Sequence, residues 1–173
     1  GGSSPTNLLH ALNDLNIEWI KVKVMLLDER LVDEDNEYSN QRYLRENFFK
    51  NHTKNATYKS IRDLNIEKNI DLAILGFGSD GHFASIFPCH LYEKEFIDLN
   101  EEPKILKTTK MGDPYVARLT INLSAFLGVK NIFIIINSNK KLHTFHEAKD
   151  NKNLPIYHLL NLEHINIEVI KDF

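Results

Sequence analysis

Two stretches of this chain, Ile70–Leu75 and Asn131–Ile136, read as strands whose centres, Leu72–Leu75 and Ile132–Ile136, contain no polar residue. A strand without polar alternation has no face to offer water and must be covered on both sides. Val22–Leu27 has nearly the same character. Helical stretches separate these strands. Ser4-Pro5 is an N-cap followed by a first-turn proline and leads into Leu8, Leu9 and Leu12. Tyr38–Phe49, Lys140–Ala148 and Pro155–Leu160 follow as helices. Lys104–Thr108, Ala117–Leu123 and the alternating Ile165–Ile170 complete the strands. Apolar strands alternating with helices indicate an α/β fold: three α/β/α layers around a Rossmann-like, mostly parallel sheet. At 173 residues the chain is read as one domain over 1–173. The polar Asn51–Asn69 stretch reads as a mobile connection.

A net charge of −3 argues against a nucleic-acid surface. No apolar run approaches the length of a membrane span. The single cysteine, Cys89, excludes an internal disulfide and fits a reducing, cytoplasmic setting. His143 and His146, three apart on a helix, lack a third metal ligand, and Cys89-His90 is a poor set on its own. Neither a metal nor a cofactor is expected.

The chemistry concentrates in Leu75-Gly76-Phe77-Gly78-Ser79-Asp80-Gly81-His82-Phe83-Ala84-Ser85-Ile86-Phe87-Pro88. Glycines 76, 78 and 81 end the strand in a turn that a ligand can approach closely. His82 then stands at the carboxyl end of a strand, where open α/β sheets bind ligands, with a side chain suited to proton transfer near neutral pH. Taken alone, a glycine-rich turn before a helix would explain the same glycines. Asp80 is placed to hold the loop through backbone amides.

The whole run resembles the signature of the 6-phosphogluconolactonases, which share a superfamily with the glucosamine-6-phosphate deaminases. Asp28-Glu29-Arg30, Ser39-Asn40 and Gly1-Gly2-Ser3-Ser4-Pro5 resemble further family blocks in the family's order. The resemblance implies a hydrolase of 6-phospho-D-glucono-1,5-lactone, yielding 6-phosphogluconate in the oxidative pentose phosphate pathway, with His82 as general base. With parallel strands, Asp28 and Arg30 leave theirs at the sheet edge that presents His82, where an aspartate fixes the tautomer of the imidazole and an arginine binds a substrate oxygen or the oxyanion; Glu29 is expected to face solvent. Without the other motifs, Asp28-Glu29-Arg30 reads as an exposed turn. Phosphate binding falls to Gly1, Gly2 and Ser3 at a helix start, to Gly78, to Arg118 in a family-like R-L-T segment, and to Lys140 in Asn137-Ser138-Asn139-Lys140, which is similar to the family's G-x-x-K. Lys140 and Lys141 open a helix, where the macrodipole disfavours cations unless an anion is near; as ordinary residues they would be solvated surface lysines.

Family members carry a helix and a strand before the G-G-S-T-P loop, so this chain is read as lacking them. The expected partner is a small sugar-phosphate lactone, with no nucleic acid or membrane. A monomer is expected, and fusion to a glucose-6-phosphate dehydrogenase is left open. Two alternatives remain. One is a glucosamine-6-phosphate deaminase-like isomerase, whose relatives have D-E-Y where this chain has Asp28-Glu29-Arg30. The other is a noncatalytic sugar-phosphate-binding domain, which would need no base at His82.

Overall fold

Ile132, Ile134, Ile135 and Ile136 are all at most 1% exposed, so the strand that carries them is covered on both faces. The computed structural model describes residues 4–63, 66 and 69–172. They gather into two compact units, one of Gly1–Leu64 with Lys107–Leu119 and one of Asn65–Leu106 with Thr120–Phe173.

The first unit opens with α1 (Thr6–Asn13), β1 (Lys23–Met25), β2 (Asp28–Arg30), α2 (Asn40–Asn47) and β3 (Thr57–Lys59). Pro5 is the residue before α1 rather than its first helical residue, and its carbonyl accepts the Leu9 amide at 2.8 Å. Strands β1 and β3 pair in parallel, with Lys23 opposite Thr57. Leu9, Trp19, Leu44 and Phe48 form the buried cluster, with Trp19 edge-on to Phe48 at 5.7 Å. The 51–69 stretch holds more structure than its polarity predicts. It contains a 3₁₀ turn at Thr53–Asn55, strand β3 and Ile61 at 1% exposure. Thr53 is the reason for part of this order: its buried hydroxyl bonds Asn13 Oδ1 at 2.5 Å and the Phe48 carbonyl, tying the stretch to both helices.

The second unit contains β4 (Ile70–Leu75), α3 (Lys94–Ile97), parts of β5 (Ile105–Lys107) and β6 (Arg118–Ile121), then β7 (Val129–Ile136), α4 (Asn139–Glu147), α5 (Pro155–Leu160) and β8 (Asn166–Lys171). Strands β4, β7 and β8 lie in that order, all parallel, with Ile70 opposite Val129 and Asn131 opposite Asn166. Central β7 is buried on both faces, whereas edge strand β8 has only exposed and half-buried residues, with Glu168 and Val169 both exposed, so the alternation expected for it is not kept. Each isoleucine buried in β7 stabilises the fold by about 1.5–3 kcal/mol. Strands β2, β6 and β5 form a further sheet, and the chain passes from unit to unit within β5 and β6. The α/β character and the parallel pairing agree with the sequence expectation. Among the described residues the strands divide over three small sheets rather than one.

Candidate active site

The loop after β4 is shaped by two glycines that nothing larger could replace without displacement. The Gly78 amide donates to the His82 carbonyl at 2.8 Å, and the Gly81 amide to the Gly78 carbonyl at 3.0 Å. Phe77 bridges to Phe83, and Phe83 to Ile86. Gly81 has a φ of +76°, the left-handed region that glycine enters at no steric cost. Its carbonyl accepts the Ile156 amide of α5 at 2.9 Å, and a Cβ there would press on Leu154 at 2.9 Å. A Cβ on Gly78 would overlap the His82 ring and the Asp80 carboxylate. The bare Cα of Gly78 is therefore the floor under both side chains.

His82 Nδ1 and Asp80 Oδ1 are 2.6 Å apart. Burial alone would raise the Asp80 pKa, but the hydrogen bond and charge of His82, with two backbone amides, bring it below the ordinary carboxylate value. An ionised carboxylate only accepts, so Nδ1 carries a proton, and in the neutral form of the ring the lone pair is on Nε2. Among the described residues Nε2 has no hydrogen-bond partner, and 30% of the His82 side chain is exposed. One ring face stacks on Phe87, with centroids 4.4 Å apart and planes at 23°. A held, partly exposed imidazole whose neutral form carries its lone pair on Nε2 is a competent general base.

Helix α4 packs beside this loop. Its cap, Ser138, accepts the Lys141 amide at 3.3 Å, and the Thr144 hydroxyl donates to the Ser79 carbonyl at 3.4 Å. Lys140 is exposed. Lys141 is half-buried, its Nζ is 6.0 Å from the centroid of the Phe77 ring, and burial lowers its pKa. The lysine on the loop side of α4 is thus Lys141.

The first unit holds a separate charged cluster. Glu29 is fully buried, contrary to the expectation that it faces solvent. Its carboxylate accepts the amides of Arg30 (2.7 Å), Asn40 (2.8 Å) and Gln41 (2.7 Å) and the Ser39 hydroxyl at 3.3 Å. These are mostly orphan donors at the start of α2, where the helix dipole also favours an anion. Asn40 completes the clasp: its amide nitrogen donates to the Asp28 carbonyl at 3.0 Å, and its Oδ1 accepts from Arg30 at 2.5 Å. The two motifs Asp28-Glu29-Arg30 and Ser39-Asn40 are therefore one structural unit. Asp28 is 3% exposed and Arg118 also 3%. Burial, then repulsion from Arg30, lowers the Arg118 pKa against the pull of Asp28 and Asp113. Arg30 Nε is buried without a hydrogen-bond partner among the described residues. A buried guanidinium, Arg118, beside the partly buried Arg30 suits an anionic ligand.

The structure thus places His82 and Gly78 together in the second unit, and Asp28, Arg30 and Arg118 together in the first. Gly1, Gly2 and Ser3 lie outside the described residues. Asp80 meets the His82 ring, a contact the sequence expectation did not include. An aspartate two residues before a histidine across a glycine is the signal that could have found it. Among the described residues no three His, Cys, Asp or Glu side chains are grouped to hold a metal ion.

Comparison with known proteins bears on this geometry. The family model described as glucosamine-6-phosphate isomerases/6-phosphogluconolactonase matches residues 1–166. The 6-phosphogluconolactonase of Helicobacter pylori is 31% identical over 98% of this chain and 80% of its own length. That of Neisseria meningitidis is 29% identical over 98% of this chain and 81% of its own. The crystal structure of a 6-phosphogluconolactonase from Shewanella baltica superposes with a TM-score of 0.82 at 26% identity, covering 99% of this chain and 80% of that one. The Thermotoga maritima enzyme gives 0.78 at 26%, covering 99% and 82%.

Proposed function

This chain belongs to the glucosamine-6-phosphate isomerase/6-phosphogluconolactonase family, and on that premise we propose that it hydrolyses 6-phospho-D-glucono-1,5-lactone to 6-phosphogluconate with His82 as general base. The observation that carries the mechanism is the Asp80–His82 pair at 2.6 Å, which in the neutral ring puts the lone pair on Nε2. A water donates its proton to Nε2 while its oxygen bonds to the lactone carbonyl carbon. The carbonyl electrons move to the oxygen, giving a tetrahedral oxyanion. Asp80 stabilises the imidazolium formed in this step. The oxyanion then collapses, the bond from the carbonyl carbon to the ring oxygen breaks, and the departing oxygen takes the proton back from Nε2. Water has been added, and no other reactant is consumed.

Anion recognition is assigned by charge. Arg30 stabilises a developing or resident negative oxygen, with Asp28 balancing the two guanidiniums. Arg118 binds the phosphate. Helix α4 supplies a further cation, and Lys141 is assigned ahead of Lys140 because its ammonium is partly desolvated, a cost that a phosphate dianion offsets. Gly78 keeps the pair in place, and Gly1, Gly2 and Ser3 remain assigned to the phosphate by resemblance.

The test is a dehydrogenase-coupled assay of 6-phosphogluconate formation, corrected for spontaneous opening of the lactone. Turnover without added metal is expected, with His82→Ala about a hundredfold to ten-thousandfold slower. Turnover of His82→Ala within a factor of a few of the parent, or loss on chelation restored by a divalent cation, would overturn the mechanism.

A further inference from the structure

His90 lies just beyond the loop and is 2% exposed. Its ring stacks on Phe96 of α3, with centroids 3.9 Å apart and planes at 5°. Its Nδ1 accepts the Phe87 backbone amide at 3.0 Å, and its own amide donates to the Phe87 carbonyl at 2.9 Å. Phe87 is held at both its amide and its carbonyl by one residue, and its ring meets the His90 ring edge-on at 6.1 Å. The Phe87 ring is also stacked on His82, at 4.4 Å. A chain of four rings thus runs from α3 to the base: Phe96, His90, Phe87, His82.

We propose that His90 is a positioning residue for the reaction, acting through Phe87 to set the plane of the His82 imidazole. The proposal rests on the assignment of His82 as the base. The geometry explains why a histidine occupies this place. An accepting nitrogen is needed at Nδ1, and a flat ring is needed against Phe96; a neutral imidazole supplies both. Burial favours that neutral form. Asp80 restrains His82 only at Nδ1, so the ring can still swing about that bond. The Phe87 face removes this freedom and fixes where Nε2 points. Removing the acceptor leaves a buried amide unsatisfied and lets Phe87, and with it the base, shift.

Four variants test this. His90→Phe keeps a ring against Phe96 and removes the acceptor. His90→Asn carries an oxygen at the same distance from Cα as Nδ1 and keeps the acceptor. Phe87→Leu removes the stacked face. His82→Ala tests the underlying assignment. In His90→Phe and Phe87→Leu, kcat is expected to fall about tenfold to a hundredfold, the scale of an ångström misplacement, with KM within about twofold because the phosphate contacts are untouched. In His90→Asn, kcat is expected to return to within about threefold of the parent even where melting temperature is lower. The His82 ring-proton resonances, shifted upfield by the Phe87 ring current, are expected to move toward exposed-histidine values in His90→Phe and Phe87→Leu but not in His90→Asn. Unchanged kcat and unchanged His82 resonances in Phe87→Leu would overturn the proposal, whether or not His90→Phe folds. Equal losses in His90→Phe and His90→Asn would overturn it too. Near-parental turnover in His82→Ala would instead remove the assignment on which it stands.

Discussion

Asp80 accepts the Nδ1 proton of His82 at 2.6 Å, and both side chains lie against the bare Cα of Gly78. The hydrogen bond sets the tautomer, and the glycine sets the room in which the bond can form. A carboxylate only two residues away could not fold back onto the ring without the turn through Gly81, at φ +76°.

Gly78→Ala is expected to separate activity from stability. Gly78 is not in the left-handed region, so its backbone accepts alanine. The new methyl group instead meets His82 and Asp80, which must move apart. A fall in kcat/KM of about a hundredfold is expected, with a melting temperature close to that of the parent. Parental kcat/KM in a folded Gly78→Ala protein would mean that the pair is not needed in this geometry.

Glu29→Gln tests the clasp at the start of α2. Glutamine presents an amide group to donors that need acceptors, so at least one buried N–H loses its partner. The expected cost is about 1–3 kcal/mol, read as a lower urea midpoint with the same dependence on denaturant. An unchanged midpoint would mean that water replaces the carboxylate.

These two residues also mark where the sequence was legible. The boundaries of strand β4 and helix α5 are legible in the sequence, because an apolar run and a first-turn proline are local signals. Strand β2 is not legible as a strand: Asp28, Glu29 and Arg30 are all charged, and the burial of Glu29 depends on the amides of α2, eleven residues on in the case of Asn40. The glycine loop and His82 were legible from residue type and spacing. The Asp80 contact was not, because it depends on the fold of the turn. The choice between Lys140 and Lys141 turns on helical phase: Ser138 caps at Lys141, and one residue of register decides which lysine faces Phe77.

His90 gives the stability of the protein a pH dependence. Burial holds its pKa below the ordinary 6.5, against a weaker opposing pull from Glu93. The unfolded chain therefore takes a proton near 6.5 that the folded chain refuses. Stability is fully present above that pH and is lost as pH falls toward the folded-state value. Melting temperature is expected to drop from pH 7 to pH 5 more steeply in the parent than in His90→Asn, where the titrating group is gone. Parallel curves would mean that His90 takes up its proton without hindrance in the fold.

Charge recognition and chemistry should part in the kinetics. Arg118 and Lys141 are assigned to the phosphate, a group that does not change during hydrolysis, so their contacts are the same in ground and transition states. Arg118→Ala and Lys141→Ala should therefore raise KM more than they lower kcat. A hydrogen bond to a charged group contributes about 1.5–3 kcal/mol, so KM should rise about tenfold to a hundredfold. Lys140, exposed at the start of α4, should lose less on substitution than Lys141. With the unphosphorylated lactone the same variants should resemble the parent, because the missing cation has no partner there. The measurement is kcat and KM for both lactones with the parent and the three variants. Equal losses on both substrates would assign Arg118 and Lys141 to the fold or to the chemical step. A larger loss at Lys140 than at Lys141 would return the phosphate to the first of the two lysines.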